Sequence, residues 1–231
     1  MRLRVRFSKL GKVRFTSHRD VARIWERALR RASLPVARTE GFSPRPKLHF
    51  GLALSTGYES LAEYLDVDLV EGTIVDLAVL PEALTAALPG GLAATAVATV
   101  PPGTPSLQHA VTSSRWEVEV HDLDLATVTA RTEALLAAPE LVTTRQRKGK
   151  DVSDDVRPHL LHLQPQAHPA EGVLLVAELG AQNRGLRPSE LVALLGDGAR
   201  EGRVRRTHQF TEHDGTRCEP LPAPHALERA S

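Results

Sequence analysis

From Arg2 to Val100 the spacing of apolar residues changes in a fixed order, and that order limits the possible folds more than any other feature. Arg2-Leu3-Arg4-Val5-Arg6-Phe7 alternates with a period of two, which predicts a strand with Leu3, Val5 and Phe7 on its buried face. Ser17-His18-Arg19-Asp20 has the Ser-x-x-acid form of a capping box. It predicts a helix over 20–32, on which Val21, Ile24, Trp25, Ala28 and Leu29 share one face. Arg23, Arg27, Arg30 and Arg31 fall largely on another. Pro35 ends the helix, and 35–38 reads as extended. Gly41-Phe42-Ser43-Pro44-Arg45-Pro46-Lys47 predicts a stiff, basic turn. Strands are expected over 48–54 and 63–70. A second helix is expected from Thr73, with Ile74, Leu77, Leu80 and Leu84 inward, and a last strand over 92–100. Strand, helix, strand, strand, helix, strand is the order of a ferredoxin-like α+β sandwich.

Pro101-Pro102-Gly103-Thr104-Pro105 marks a boundary, after which the order of elements repeats without matching residues. Strands are predicted over 116–120, 141–146, 156–164, 172–179 and 203–210, with helices over 125–138 and 188–195. Lys148-Gly149-Lys150 is a basic turn between two of the strands. The expected organisation is therefore α+β, with two ferredoxin-like sandwiches in tandem. They occupy 1–100 and 106–212, and residues 213–231, rich in Pro, Ala and charge, form a disordered tail.

The net charge of +1 hides a strong segregation. Residues 1–50 hold 14 Lys and Arg against 3 Asp and Glu, a net of +11, whereas 51–100 hold no Lys or Arg and 7 acidic residues. Such separation points to a surface that faces polyanions, unless folding brings the two halves together. Cys218 is the single cysteine, so no internal disulfide forms. A secretory leader is not expected, because the first residues alternate Arg with apolar side chains. No run approaches the ~20 apolar residues of a membrane span. A cytoplasmic protein is expected.

Several motifs in the first third carry a family resemblance. They are Phe7-Ser8-Lys9 with Gly11, and Val13-Arg14-Phe15-Thr16-Ser17-His18-Arg19-Asp20. Arg27-Ala28, Arg31-Ala32 and Leu34-Pro35-Val36-Ala37 follow. The most specific is Gly41-Phe42-Ser43-Pro44-Arg45-Pro46-Lys47-Leu48-His49-Phe50, followed by Gly57, Ser60 and Glu63-Tyr64-Leu65-Asp66. Together they resemble the radical SAM-linked family, whose members are encoded beside, or fused to, a radical SAM protein. Arg19 stands where the family usually has Leu, and Arg45 where it usually has His, which argues against an imidazole role at 45. Looser similarity covers Lys148-Gly149-Lys150, Asp155-Val156-Arg157-Pro158 and Leu186-Arg187-Pro188, so the resemblance spans roughly residues 2–210. It implies a radical SAM protein as partner and a setting in RNA metabolism, but no particular reaction.

Radical SAM chemistry needs three cysteine thiolates to hold its cluster, and Cys218 alone does not supply them. Any such chemistry belongs to a partner, and no cofactor is expected on this chain. His159 and His162 lie three apart on a predicted strand and face opposite sides, a poor arrangement for a metal. The residues expected to contact RNA or another phosphate-rich ligand are Lys9, Lys12, Arg23, Arg27, Arg31, Arg45, Lys47, Lys148 and Lys150. Arginine suits phosphate because its guanidinium donates two parallel hydrogen bonds and stays charged. His18, Asp20 and His49 are further polar candidates. His18 and His49 are expected to pack or hydrogen-bond rather than react.

Three functions fit the sequence. The first is a non-catalytic RNA-binding accessory to a radical SAM enzyme. The second is a metal-independent RNA endonuclease, with His18 as base and Lys47 or Arg45 stabilising phosphate charge. The third is a protein–protein scaffold with no nucleic-acid role.

Overall fold

The computed structural model describes residues 1–147, 149–168 and 172–221. The chain divides into two units, Met1–Val111 with Thr211 onward, and Thr112–Phe210. Both are mixed α+β, with antiparallel strand pairing.

In the first unit the elements are β1 (Arg2–Lys9), α1 (His18–Arg31), β2 (Leu48–Phe50), β3 (Glu59–Asp68), α2 (Leu80–Ala87) and β4 (Leu92–Val100). A 3-10 turn, Gly11–Phe15, joins β1 to α1. The sheet order is β4-β1-β3, with β2 also on β3, and every pair is antiparallel. Leu3, Val5 and Phe7 of β1 and Leu65 and Val67 of β3 pack against Val21, Trp25 and Leu29 of α1 and Leu84 of α2. The Phe7 and Trp25 rings meet edge to face at 4.9 Å. The alternation in β1 therefore reports one face of the sheet correctly.

The other face of β1 carries Arg2, Arg4 and Arg6, and Arg4 and Arg6 are nonetheless buried. Register explains this. Arg2 lies opposite Asp68 and Arg4 opposite Asp66. Arg4 donates from Nε and Nη2 to the two Asp66 oxygens at 2.8 and 2.9 Å, and Arg2 Nε donates to Asp68 at 2.6 Å. Such bidentate pairs satisfy both charges as they leave water.

Two expectations here are corrected. The second helix begins at Leu80, not Thr73, and Ile74 is 97% exposed. Pro81 sets the start: in the interior of a longer helix it would lack the N–H for its bond to Leu77, whereas in the first turn none is needed. β2 ends at Phe50, so 51–54 is not strand. The 35–38 stretch is extended as expected, bridging Val36 to Leu69 and Arg38 to Pro46.

Residues 213–221 do not form a frayed tail. A hairpin pairs the end of β10 (Arg200–His213) with β11 (Thr216–Cys218). Beyond it Arg6 Nη2 bonds Glu219 at 3.2 Å, and the Tyr64 hydroxyl donates to the Leu221 carbonyl. The remaining tail, 222–231, lies outside the described residues.

The second unit contains β5 (Val111–His121, entered through the short α3, Leu107–Ala110), α4 (Leu125–Ala137), β6 (Val142–Arg147) and β7 (Lys150–Asp155). β8 (Leu160–Ala167), β9 (Val173–Gly180), α5 (Pro188–Leu194) and β10 follow. Its sheet order is β10-β5-β9-β8, while β6 and β7 pair only with each other. The predicted strand over 156–164 is thus two features. Residues Arg157–His159 are a 3-10 turn, and only Leu160 onward is strand. Pro158 has no N–H to give a ladder, and Arg157 turns back to bond the Leu136 and Ala138 carbonyls at the end of α4. No helix among the described residues is long and apolar enough to cross a membrane.

Candidate nucleic-acid interface

Helix α1 starts at a working cap. Ser17 Oγ accepts from the Asp20 amide at 3.2 Å and donates to the Asp20 carboxylate at 2.7 Å. That hydroxyl, aided by Arg23, holds the Asp20 carboxyl below its ordinary range. Asp20 is therefore part of the cap and the partner of Arg23, at 3.2 Å.

With Val21, Trp25, Ala28 and Leu29 inside, the helical repeat puts Arg19, Arg23, Arg27, Arg30 and Arg31 within an arc of about 120° on the exposed side. They are not equivalent. Arg31 donates to the Ala87 carbonyl of α2. Arg23 is paired with Asp20. Arg19, Arg27 and Arg30 make no hydrogen bond or ion pair among the described residues. Sequence reasoning singled out the i, i+4, i+8 row and missed Arg19. Its signal was the helical angle, which places it beside Arg23 and Arg30.

The basic turn is closed by its own backbone. Thr39 donates its amide to the Arg45 carbonyl, and the Arg45 amide donates to Thr39 Oγ1 at 3.0 Å. Lys47 donates to the Ala37 carbonyl and accepts from the Asp68 amide, which ties the base of the loop to β3. Pro44 and Pro46 fix φ at two further positions. The Arg45 and Lys47 side chains are exposed and make no ion pair among the described residues, and Phe42 at the tip is fully exposed.

Of the other expected contacts, one is corrected, one lies on the second unit and one lies outside the described residues. Lys9 is buried, and its Nζ donates to the Arg14 and Thr16 carbonyls at 3.3 and 2.9 Å, pinning the 3-10 turn. Burial pushes its ammonium below the ordinary value, with Glu63 opposing. It is a structural lysine. Lys12 on that turn is exposed. Lys150 is exposed on β7 of the second unit, and Lys148 lies outside the described residues.

His18 and His49 line one cleft of about 360 Å³ with Arg2, Phe50, Asp66 and Gln108. His18 meets Phe50 edge to face at 5.1 Å. His49 Nε2 bonds Asp68 at 3.1 Å, and Asp68 also holds Arg2. The Arg2 hydrogen bond, aided by His49, holds the Asp68 carboxyl below its usual range against the opposing effect of burial. The acidic strand is therefore an internal partner of β1 and His49. It does not neutralise α1 or the 39–47 loop.

The resemblance touched Arg157 and Arg187 in the second unit, and Arg187 is exposed at the start of α5, its amide donating to Glu190 at 3.0 Å. Arg157 caps α4. Arg184 bonds Glu190 through Nη2 at 2.8 Å, Asp154 at 3.1 Å and Thr143 at 2.8 Å.

Against known families, residues 2–188 match a model described as an uncharacterized protein conserved in bacteria (DUF2344), and the chain belongs to that family. None of the curated proteins matches. Among solved structures, a chain from the crystal structure of a Cbf5-Nop10-Gar1 complex is similar at 13% identity and a TM-score of 0.48. The similarity covers 90% of this chain and 48% of that one, so this chain spans about half its length.

Proposed function

We propose that this DUF2344 member is a non-catalytic RNA-binding protein that grips phosphates with the exposed face of α1 and the closed 39–47 loop. One observation carries the reading. Asp66 and Asp68 are bound to Arg2, Arg4 and His49 on the sheet face away from α1, and Arg19, Arg27, Arg30, Arg45 and Lys47 make no ion pair among the described residues and stand exposed. A backbone-closed loop loses little entropy on binding, which favours contacts made from it. We read both units as ferredoxin-like sandwiches, because the strand orders β4-β1-β3-β2 and β10-β5-β9-β8 match when the β6–β7 hairpin is treated as an insertion. The radical SAM partner implied by the sequence resemblance, and a cytoplasmic setting, belong to the same proposal.

The test is fluorescence anisotropy with labelled tRNA and rRNA fragments over a salt series, for the native chain and an R23Q/R27Q/R45Q/K47Q variant. Salt-sensitive binding that the variant loses supports the reading, because phosphate contacts release counterions. Affinity that does not fall as salt rises removes it.

The shared cleft of His18 and His49 beside Arg2 favours a second reading, a metal-independent ribonuclease. An imidazole can both accept and donate a proton, which suits general acid–base work. Structured RNA that stays intact, or cleavage unchanged in His18→Ala, excludes it.

A further inference from the structure

A cavity of about 240 Å³ opens between the C-terminal half of α1 and the segment that follows it. Leu34 and Val36 line it with Pro46, and Glu26, Arg30 and Arg38 stand around them. The volume lies below the roughly 300–1,000 Å³ of clefts that enclose drug-sized ligands, so it suits one ring system and not an extended ligand. The lining is apolar and polar in equal measure, with aliphatic walls and three charged side chains that can orient a flat, partly polar molecule. Two guanidinium groups beside it favour an anion attached to that ring. Glu26 makes no hydrogen bond or ion pair among the described residues, although Arg23 and Arg30 lie three and four residues away. Its carboxylate is an acceptor for a ring edge that donates N–H bonds, and guanine offers two such donors side by side.

The same cavity is joined to the basic loop. Arg38 and Pro46, which line it, form the bridge that closes the loop, and Phe42 stands midway, four residues from each. A Phe ring held in water on a stiff loop between Arg38, Arg45 and Lys47 has the composition of a stacking platform for unpaired bases. In a duplex the bases are stacked on one another and neither feature reaches them.

We infer that this cavity takes one unpaired nucleobase, with guanine preferred through Glu26, while Phe42 stacks on a neighbouring base. The ligand class is therefore unpaired, guanine-containing RNA. This rests on the RNA-binding reading and narrows it.

The full chain is titrated with a labelled 12-nucleotide single strand containing guanosines, the same strand annealed to its complement, and a 12-nucleotide uridine strand. The single guanosine strand is expected to bind about tenfold more tightly than the other two at equal salt. Phe42→Ala is expected to lower that affinity about tenfold. Glu26→Gln, an isosteric change on a helix surface, is expected to erase the preference over uridine while leaving the salt dependence. Equal affinity for single strand and duplex, or a guanosine preference that survives Glu26→Gln, overturns the inference and leaves salt-dependent RNA binding standing. If no RNA binds at low salt, the RNA reading itself fails, and a 5′-GMP titration read from the Leu34 and Val36 methyl NMR signals decides the cavity. Saturating shifts that Glu26→Gln weakens uphold the base site, and unmoved signals overturn it.

Discussion

Arg4 and Asp66 face each other in register across β1 and β3, and both guanidinium bonds to the carboxylate lie within 3 Å in a site almost closed to water. This pair turns a run of charges that reads as solvent-facing into part of the interior.

Removing one member of this pair leaves an uncompensated buried charge. Asp66→Ala is expected to cost roughly 3–5 kcal/mol of stability, while the double change Arg4→Met with Asp66→Leu is expected to cost much less. Urea unfolding of the two variants and the native chain checks this. Equal losses in both would mean that the site needs the ions for packing and not for charge balance.

The acid limb of the stability curve follows from Asp68. Its folded carboxyl lies below the usual value because Arg2, and secondarily His49, bond the charged form. The unfolded chain therefore binds the proton first as pH falls. The contribution is fully present above the unfolded value near 4 and is lost as pH falls through the folded one. Asp68→Asn is expected to flatten the decline of the urea midpoint between about pH 5 and 2. An unchanged slope there would assign the acid sensitivity to other carboxylates.

Lys9 separates charge from contact. Its Nζ bonds two carbonyls of the turn before α1, so Lys9→Ala is expected to lower stability by about 1–3 kcal/mol. RNA affinity of the remaining folded protein, and its dependence on salt, are expected to stay unchanged. Weakened RNA binding at unchanged stability would return Lys9 to the interface.

Lys9 and Pro81 also show where sequence reasoning ends. Periodicity placed the β1 face, the α1 face and β4 because each has one buried side, and the cap at Ser17 marked the helix start. It missed the start of α2, since the weight of Pro81 as a first-turn residue exceeds that of the apolar Ile74. Pairing is the larger gap. Arg2, Arg4 and Lys9 look like the rest of the basic stretch, and only strand register and the 3-10 turn, both long-range or irregular, separate them from Arg27 or Arg45. The cavity beside Glu26 was invisible for the same reason, because its walls come from a helix and a loop that meet only in three dimensions.

The exposed face of α1 gives a prediction that distinguishes geometry from mere charge. For single-stranded RNA the slope of log affinity against log salt falls by about 0.7 for each phosphate contact removed. Arg19→Gln, Arg27→Gln and Arg30→Gln are each expected to reduce the slope by about that amount, since none of these side chains has an internal hydrogen bond or ion pair among the described residues. Arg31→Gln is expected to change it less, although the charge removed is the same, because Arg31 is turned to the Ala87 carbonyl at the end of α2. Arg23 should fall between them, being shared with the exposed Asp20 at 3.2 Å. A set of equal slopes would mean that RNA senses only the net charge of the segment. The graded order would mean that the α1 face meets phosphates through particular guanidinium groups.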